Sequence, residues 1–248
     1  MNAYDSFVKI LRLEVPNLKT SPLEYVLDHF PGDLPENGVV LECGVHSGAS
    51  IRKISAAPIF QNTTVYGFDS FEGLPERWDR NDMDVDKGAF NLDGKLPDVP
   101  SNVELVPGWF DDTLPSFAKR VEGESKLVTF IHVDCDLYSS TKTIFDSLGH
   151  LFCDGIVIVF DELFNYNNFS KHELLALWEF CKTNGWRIEW IGKNGTVLVN
   201  ATDNGAWDQP AAVRLWKLGE APPSPWQDVL DNLNTLQMSV AKTINDIL

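Results

Sequence analysis

The sequence predicts an α/β fold, a mostly parallel sheet covered by helices on both faces. Three observations carry this reading. From Val39 onward, apolar strand-like runs alternate with helix-like segments, the rhythm of βαβ units. Runs such as GIVIVF (155–160) are nearly continuous in apolar residues, as strands buried on both faces are. Five of the runs end in glycine or acidic residues, and ligands of open parallel sheets sit beyond the carboxyl ends of the strands.

The elements follow in order. Residues 1–37 read as short helices with proline-broken links; SPLEYVLDHF offers Ser21 as N-cap, Pro22 as first helical residue and Glu24 at the third position. VVLECG (39–44) is a short strand, and HSGASIRKISAA a helix beginning near Ser47. TTVYGFDSF (63–71) is a second strand. Residues 72–100, rich in Asp, Gly and Pro, have no clear period and read as a long loop, the kind that usually serves function, here a lid-like insertion. NVELVPG is a strand and DDTLPSFAKRVE a helix; KLVTFIHVD is a strand and SSTKTIFDSLGHLF a helix with a serine cap. GIVIVFDE is a strand, SKHELLALWEFCKTNG a helix closed by Gly185, and WRIEWIG a strand. GTVLVN (195–200) and PAAVRLWKL (210–218) compete for the last place in a seven-stranded sheet, and residues 226–248 have helical spacing. The expected organisation is a helical segment over 1–37, a core over 38–200 and an extension over 201–248.

Composition narrows the function classes. The 248 residues are 44% hydrophobic, ample for one buried core. A net charge of −16 repels nucleic-acid phosphates and anionic membranes, so neither is an expected partner. The cysteines (Cys43, Cys135, Cys153, Cys181) show no CxxC or zinc-like spacing and read as reduced thiols. There is no signal-peptide core at the N-terminus and no apolar run approaching the roughly 20 residues of a membrane span. A soluble, cytoplasmic protein is expected, with the terminal segments available for a homo-oligomer interface.

The strand ends carry the chemistry. In ECGVHSGAS, Gly44 and Gly48 let backbone approach a ligand, and the next helix offers free N–H groups. The stretch lacks the full GxGxxG pattern and the lysine of a P-loop, and Glu42 suits an ammonium better than a phosphate. Asp69, closing the second strand, is placed either to accept from ribose hydroxyls or to cap its own turn. In PGWFDD, Asp111 or Asp112 either caps a helix or accepts from an adenine amine. The fourth strand delivers Asp134 and Asp136, and the fifth Asp161 and Glu162. Carboxylates converging from neighbouring strands repel, and a hard divalent cation with oxygen ligands relieves this; separate turn-capping acids are the alternative.

Taken together, LECGVHSGAS, VYGFDSFEGLPERW, PGWFDDTLP, IHVDCDLYSST and VFDELFNY resemble class I S-adenosylmethionine-dependent methyltransferases, and more narrowly the macrocin O-methyltransferase (TylF-like) family, over roughly residues 38–185. The resemblance implies a Rossmann-like sheet, S-adenosylmethionine as methyl donor, Mg²⁺ or another hard divalent cation, and a small-molecule hydroxylated acceptor, a sugar on a glycosylated natural product. Residue by residue it places Glu42, Gly44 and Ser50 by the methionine part, Asp69 and Ser70 at the ribose, and Gly108, Phe110 and Asp111 around the adenine. Asp134, Asp161 and Glu162 would hold the metal, with Asp134 and Asp136 catalytic and Asp136 the general base. The chain departs from the family at Asp161-Glu162, where two adjacent aspartates are expected. Different jobs for Asp134 and Asp136 require the chain to be turning by Asp136, since side chains at i and i+2 of a strand share a face. His132 reads as a core residue and His46 as part of the cofactor loop. Phe71, Trp78, Phe90, Phe164 and Tyr166 are candidate walls of an acceptor pocket. The competing readings are a metal-dependent glycosyltransferase using the DxD pair and a non-catalytic binding protein with a methyltransferase fold.

Overall fold

A computed structural model describes residues 3–80, 85–194 and 209–219. Its strands are β1 (Asn17–Leu18), β2 (Val39–Cys43), β3 (Val65–Asp69), β4 (Val103–Pro107), β5 (Val128–Val133), β6 (Phe152–Phe164), β7 (Trp186–Asn194) and β8 (Gln209–Lys217). The helices are α1 (Ala3–Glu14), α2 (Pro22–Asp28), α3 (Ala49–Ala56), α4 (Phe110–Gly123), α5 (Tyr138–Leu148) and α6 (Glu173–Asn184). The strands form one sheet in the order β4-β3-β2-β5-β6-β8-β7-β1, parallel except for β8, which runs antiparallel between β6 and β7. No helix among the described residues is long and apolar enough to cross a membrane.

The sheet has eight strands, one more than the sequence suggests. The addition is β1, two residues on the edge of β7. It arises where Val15-Pro16 ends α1: the residue before a proline avoids the helical region, and Pro16 then offers its carbonyl to Lys193 N–H at 2.9 Å. PAAVRLWKL takes the contested place as β8. GTVLVN, the 226–248 helix and most of the 201–248 extension lie outside the described residues.

Helix starts differ from expectation in a consistent way. No serine or aspartate side chain caps the N-terminus of α2 to α6: the cap positions of α3, α4, α5 and α6 are Gly48, Trp109, Leu137 and His172, and the Ser21 hydroxyl before α2 makes no cap bond. Asp111 and Asp112 fall in the first turn of α4 instead, where the helix dipole favours them. Gly185 closes α6 as expected, with φ 69°. The described residues of segment 72–100 form no named strand or helix but fold back on themselves: Leu74 N–H donates to Ala89 O, and Trp78 pairs with Val85. Leu74, Trp78 and Val85 bury against Leu137 and Tyr166 in a small second core.

The main core lies on both faces of the central strands. Every residue of β2 and β5 is buried, which explains their mostly apolar character; Glu42, Thr129 and His132 are the polar exceptions. The order reverses at β2, flanked by β3 on one side and β5 on the other, and this switch point is where such sheets open a crevice. The strand ends are in direct backbone contact there. Asp134 N–H donates to Cys43 O at 2.9 Å, and Gly44 N–H to Phe68 O at 2.9 Å. Gly44 has φ 95°, and a Cβ on it would lie 1.6 Å from the Asp134 carbonyl oxygen. We therefore expect Gly44→Ala to cost roughly 3 kcal/mol or more, lowering the thermal midpoint by about 6–12 °C in a chain of this size. Gly123→Ala, which meets nothing within 4 Å, should leave the midpoint nearly unchanged. Equal midpoints for both variants in thermal denaturation would show that the junction is not tight.

Candidate active site

A cleft of about 630 Å³ opens beyond the carboxyl ends of β2 to β6. One half is built from turns. Gly44 and His46 follow β2, Asp69 and Ser70 close β3, and Gly108, Trp109, Phe110 and Asp111 join β4 to α4. Asp69 knots this half together. Its Oδ2 accepts from the backbone N–H of Val45 (2.8 Å) and His46 (2.7 Å), and its Oδ1 from Phe71 (2.6 Å). Both sequence readings of Asp69 thus coexist: it caps turns and also lines the cleft. A carboxylate has about four acceptor sites, so capacity for a hydroxyl donor is left. His46 and Phe71 hold φ of 46° and 56°, and the bonds to Asp69 hold these strained turns. Ser70 lines the cleft, with its hydroxyl tied to Gly73 O and Glu72 N. Ser50 lies on α3 away from the cleft wall.

Glu42 is not on the wall either. It is fully buried, paired to His132 on β5 through Oε1 and Nδ1 at 2.8 Å. His132 is thus a buried core residue, as the sequence suggests, and its partner there is Glu42. Burial alone would lower its basicity, but the Glu42 hydrogen bond and charge, with Asp134 and Asp161 beyond, raise its pKa to about 9.

The other half is acidic. Asp134 and Asp136 follow β5, and Asp161 and Glu162 lie within β6. One carboxylate oxygen from each of Asp134, Asp161 and Glu162 lies within 4.8 Å of the others. Asp136 is buried and holds φ 66°, so the chain has turned by that residue, as separate roles for the two aspartates require. Burial pushes the Asp134 carboxyl well above its ordinary range; His132 opposes this, and Asp161 and Asp136 add to it. Burial does the same to Glu162, reinforced by Asp136 and Asp134, and Glu162 Oε2 has no described hydrogen-bond partner. The donor set is all oxygen, which suits a hard divalent cation. The longer Glu162 side chain, where an aspartate was expected, still brings an oxygen into the cluster.

Some site residues escaped the sequence reading. Glu173, the first residue of α6, is fully buried with Oε2 unpartnered, and burial together with Asp136 raises its pKa well above the usual carboxyl value. In sequence it looks like any acid in a first helical turn. Arg80 and Glu76 enter the wall from the aperiodic 72–100 segment. Of the five aromatics proposed as walls, Trp78 and Phe90 line the cleft. Phe71 and Phe164 belong to the main core, and Tyr166 packs behind Trp78, with the Arg80 guanidinium 4.5 Å and 5.0 Å from the two ring centres.

The strand order, the glycine turn after β2 and the acid ending β3 are those of the Rossmann-like fold of class I methyltransferases. Residues 41–163 match the family model of a methyltransferase domain. Among curated proteins, the chain is 29% identical over 174 residues to the 8-demethyl-8-(2,3-dimethoxy-alpha-L-rhamnosyl)-tetracenomycin-C 4'-O-methyltransferase of Streptomyces olivaceus, covering 63% of this chain and 62% of that protein. It is 29% identical over 177 residues to the demethyldecarbamoylnovobiocin O-methyltransferase of Streptomyces niveus, with the same coverages, 63% and 62%. The chain thus spans less than two thirds of the length of either relative. Among solved structures, the calicheamicin methyltransferase CalS11 superposes with a TM-score of 0.50 at 21% identity, over 80% of this chain and 76% of that one, a likeness of fold.

The acidic half makes stability fall with pH. Carboxyls held protonated by the fold bind more protons folded than unfolded, so Asp134, Glu162 and Glu173 lose stability as pH rises above the unfolded value of roughly 4.3. His132 contributes stability that is complete below about 6.5 and lost as pH rises through about 9. Both trends have the same sign. In chelator, the thermal midpoint should fall between about pH 5 and 9, and Glu173→Gln should flatten the slope. A midpoint that rises over this range would contradict the assignment.

Proposed function

We propose that this chain is an S-adenosylmethionine-dependent O-methyltransferase acting on a hydroxyl of a sugar or glycosylated natural product, with Mg²⁺ or another hard divalent cation in the acidic half of the cleft. The observation that carries the reading is the Asp134–Asp161–Glu162 cluster, with oxygens within 4.8 Å of one another, of which Asp134 and Glu162 line the same cleft as the Gly44–Asp69–Gly108 turns. The methyltransferase domain match supports the donor. The acceptor class is supported by the curated relatives, both named as O-methyltransferases and one named for a rhamnosyl-bearing tetracenomycin. The narrower likeness to the macrocin O-methyltransferase family rests on the strand-end motifs quoted above.

In this reading the bound donor supplies an electrophilic methyl, and the cation supplies charge that acidifies an alcohol too weakly acidic to react unaided. The chain does the rest. The Gly44 and Gly108 turns admit the donor's backbone-hugging parts, Asp69 and Ser70 face its ribose, and Phe110 and Asp111 frame the base. Asp134, Asp161 and Glu162 hold the cation. Asp136, turned off the strand, takes the hydroxyl proton. Trp78 and Phe90 exclude water on the acceptor side, and residues 72–100 act as a lid. The acceptor is a small molecule and not a nucleic acid, consistent with a net charge of −16. The Asp69 knot joining the β2 and β3 ends is not needed by a DxD glycosyltransferase, which disfavours that alternative.

Methyl transfer from labelled S-adenosylmethionine to a panel of glycosides tests the proposal. Asp134→Asn should lower metal-dependent transfer by at least about 100-fold, more than loss of an outer-shell partner of a metal ligand costs. It should bind S-adenosylhomocysteine nearly as tightly as the parent does. Undiminished turnover of that variant in chelator would overturn the metal role. Limited proteolysis within residues 72–100 should slow when S-adenosylhomocysteine and Mg²⁺ are both present; equal cleavage rates would remove the lid.

A further inference from the structure

At the acidic end of the cleft, buried polar atoms gather without hydrogen-bond partners among the described residues: Glu162 Oε2, Glu173 Oε2, the Tyr166 hydroxyl and the Trp78 indole N–H. Leaving such atoms unsatisfied is costly, so each calls for an explanation. Tyr166 is central to the group. Its ring meets that of Trp78 edge-on, with 5.1 Å between centroids. Burial pushes its pKa well up, and the acids that add to this are Glu173, Glu162 and Asp136. The hydroxyl end of Tyr166 therefore faces the carboxyls.

The ring itself is held from several sides. Tyr166 is 1% exposed, with the Arg80 guanidinium 5.0 Å and the His172 ring 5.9 Å from its ring centre. The arm that carries Trp78 is fastened in turn. His172 Nε2 donates to Asp79 O at 3.1 Å, and Asn168 Nδ2 donates to the same oxygen at 3.2 Å. A ring packed this way keeps its hydroxyl in one place. Glu162 needs such a fixed point. It is one methylene longer than the aspartate expected there, and each added rotatable bond costs entropy when the side chain is ordered. Carboxylates that ligate metals are themselves hydrogen-bonded from outside, and Glu162 Oε2 is the oxygen still open to such a bond.

Resting on the proposed function, we propose that Tyr166 is a positioning residue for Glu162: its hydroxyl donates to one oxygen of that carboxylate and so presents the other to the divalent cation. Tyr166 touches neither the cation nor the acceptor. A tyrosine hydroxyl can donate to one group and accept from another, so Glu173 on its other side is met by the same residue. Because Trp78 packs on Tyr166, the arm of segment 72–100 that walls the cleft also seats the outer partner of a metal ligand.

Calorimetric titration with Mn²⁺ alone provides the test. Tyr166→Phe keeps the ring and removes only the hydroxyl. It should bind Mn²⁺ about tenfold more weakly than the parent, the lower end of what loss of an outer-shell partner costs, and S-adenosylhomocysteine as tightly as the parent does. In chelator its thermal midpoint should match or exceed the parent's, since no hydrogen bond is lost there. Mn²⁺ should raise the midpoint less than it does for the parent. Tyr166→Met, which fills the space without a hydroxyl, carries the same test if the phenylalanine variant does not melt cooperatively. Undiminished Mn²⁺ affinity would remove the role. Equal weakening of Mn²⁺ and S-adenosylhomocysteine, or a midpoint lowered equally with and without Mn²⁺, would mark a merely structural hydroxyl; each of these overturns the proposal. A parent that binds no Mn²⁺, or whose Mn²⁺ affinity survives Asp134→Asn, would instead overturn the metal reading, and this proposal with it.

Discussion

The close approach of Gly44 to Asp134 is the constraint on which the site depends. Two parallel strands, β2 and β5, end side by side, and the turn after one runs against the carbonyl of the other with no room for a Cβ. The ladder continues one step past the strand end through Asp134 N–H and Cys43 O. The glycine turn and the first acidic residue are consequently one rigid unit. Under the proposed function, a donor on the turn and a cation at the acids would be held in fixed relation, the alignment that direct group transfer requires. Asp69 extends the unit sideways by tying the β2 turn to the β3 turn through three backbone N–H groups.

Charge organises the rest. Burial raises the pKa of Asp134, Glu162 and Glu173, Asp136 and Asp161 add to all three, and Asp134 adds to both glutamates. Such an arrangement persists as protonated acids or around a cation. His132 is the one histidine inside the sheet beneath them, and Glu42, Asp134 and Asp161 all favour its charged form. The sheet thus carries a line of alternating charge through an otherwise apolar centre, from Glu42 through His132 to the acidic cluster.

Much of this was legible in the sequence because it is written in strand ends. Buried parallel strands are nearly continuous in apolar residues, so any polar residue that closes one stands out: Asp69, Asp134, Asp161 and Glu162 were all found this way, and Asp134, Asp161 and Glu162 do converge. Residues brought in by long-range packing were not legible. Glu173 sits 37 residues beyond Asp136 and reads as an ordinary helix-start acid. Arg80 comes from a stretch with no period. The Glu42–His132 pair needs the β2–β5 register, which no local pattern gives. Helix caps misled for a physical reason: the turns at these helix starts are fixed by glycine, by Asp69 and by the sheet itself, so no serine or aspartate side chain is required there.

The central claim is that donor and cation occupy the two halves of one cleft. Crystals grown with S-adenosylhomocysteine and Mn²⁺ as a scattering substitute would settle it by anomalous difference density. The account predicts a single strong Mn²⁺ peak among Asp134, Asp161 and Glu162, with the adenosine beside Asp69 and Gly108. A peak elsewhere, or an ordered donor analogue with no peak at the three carboxylates, would contradict it.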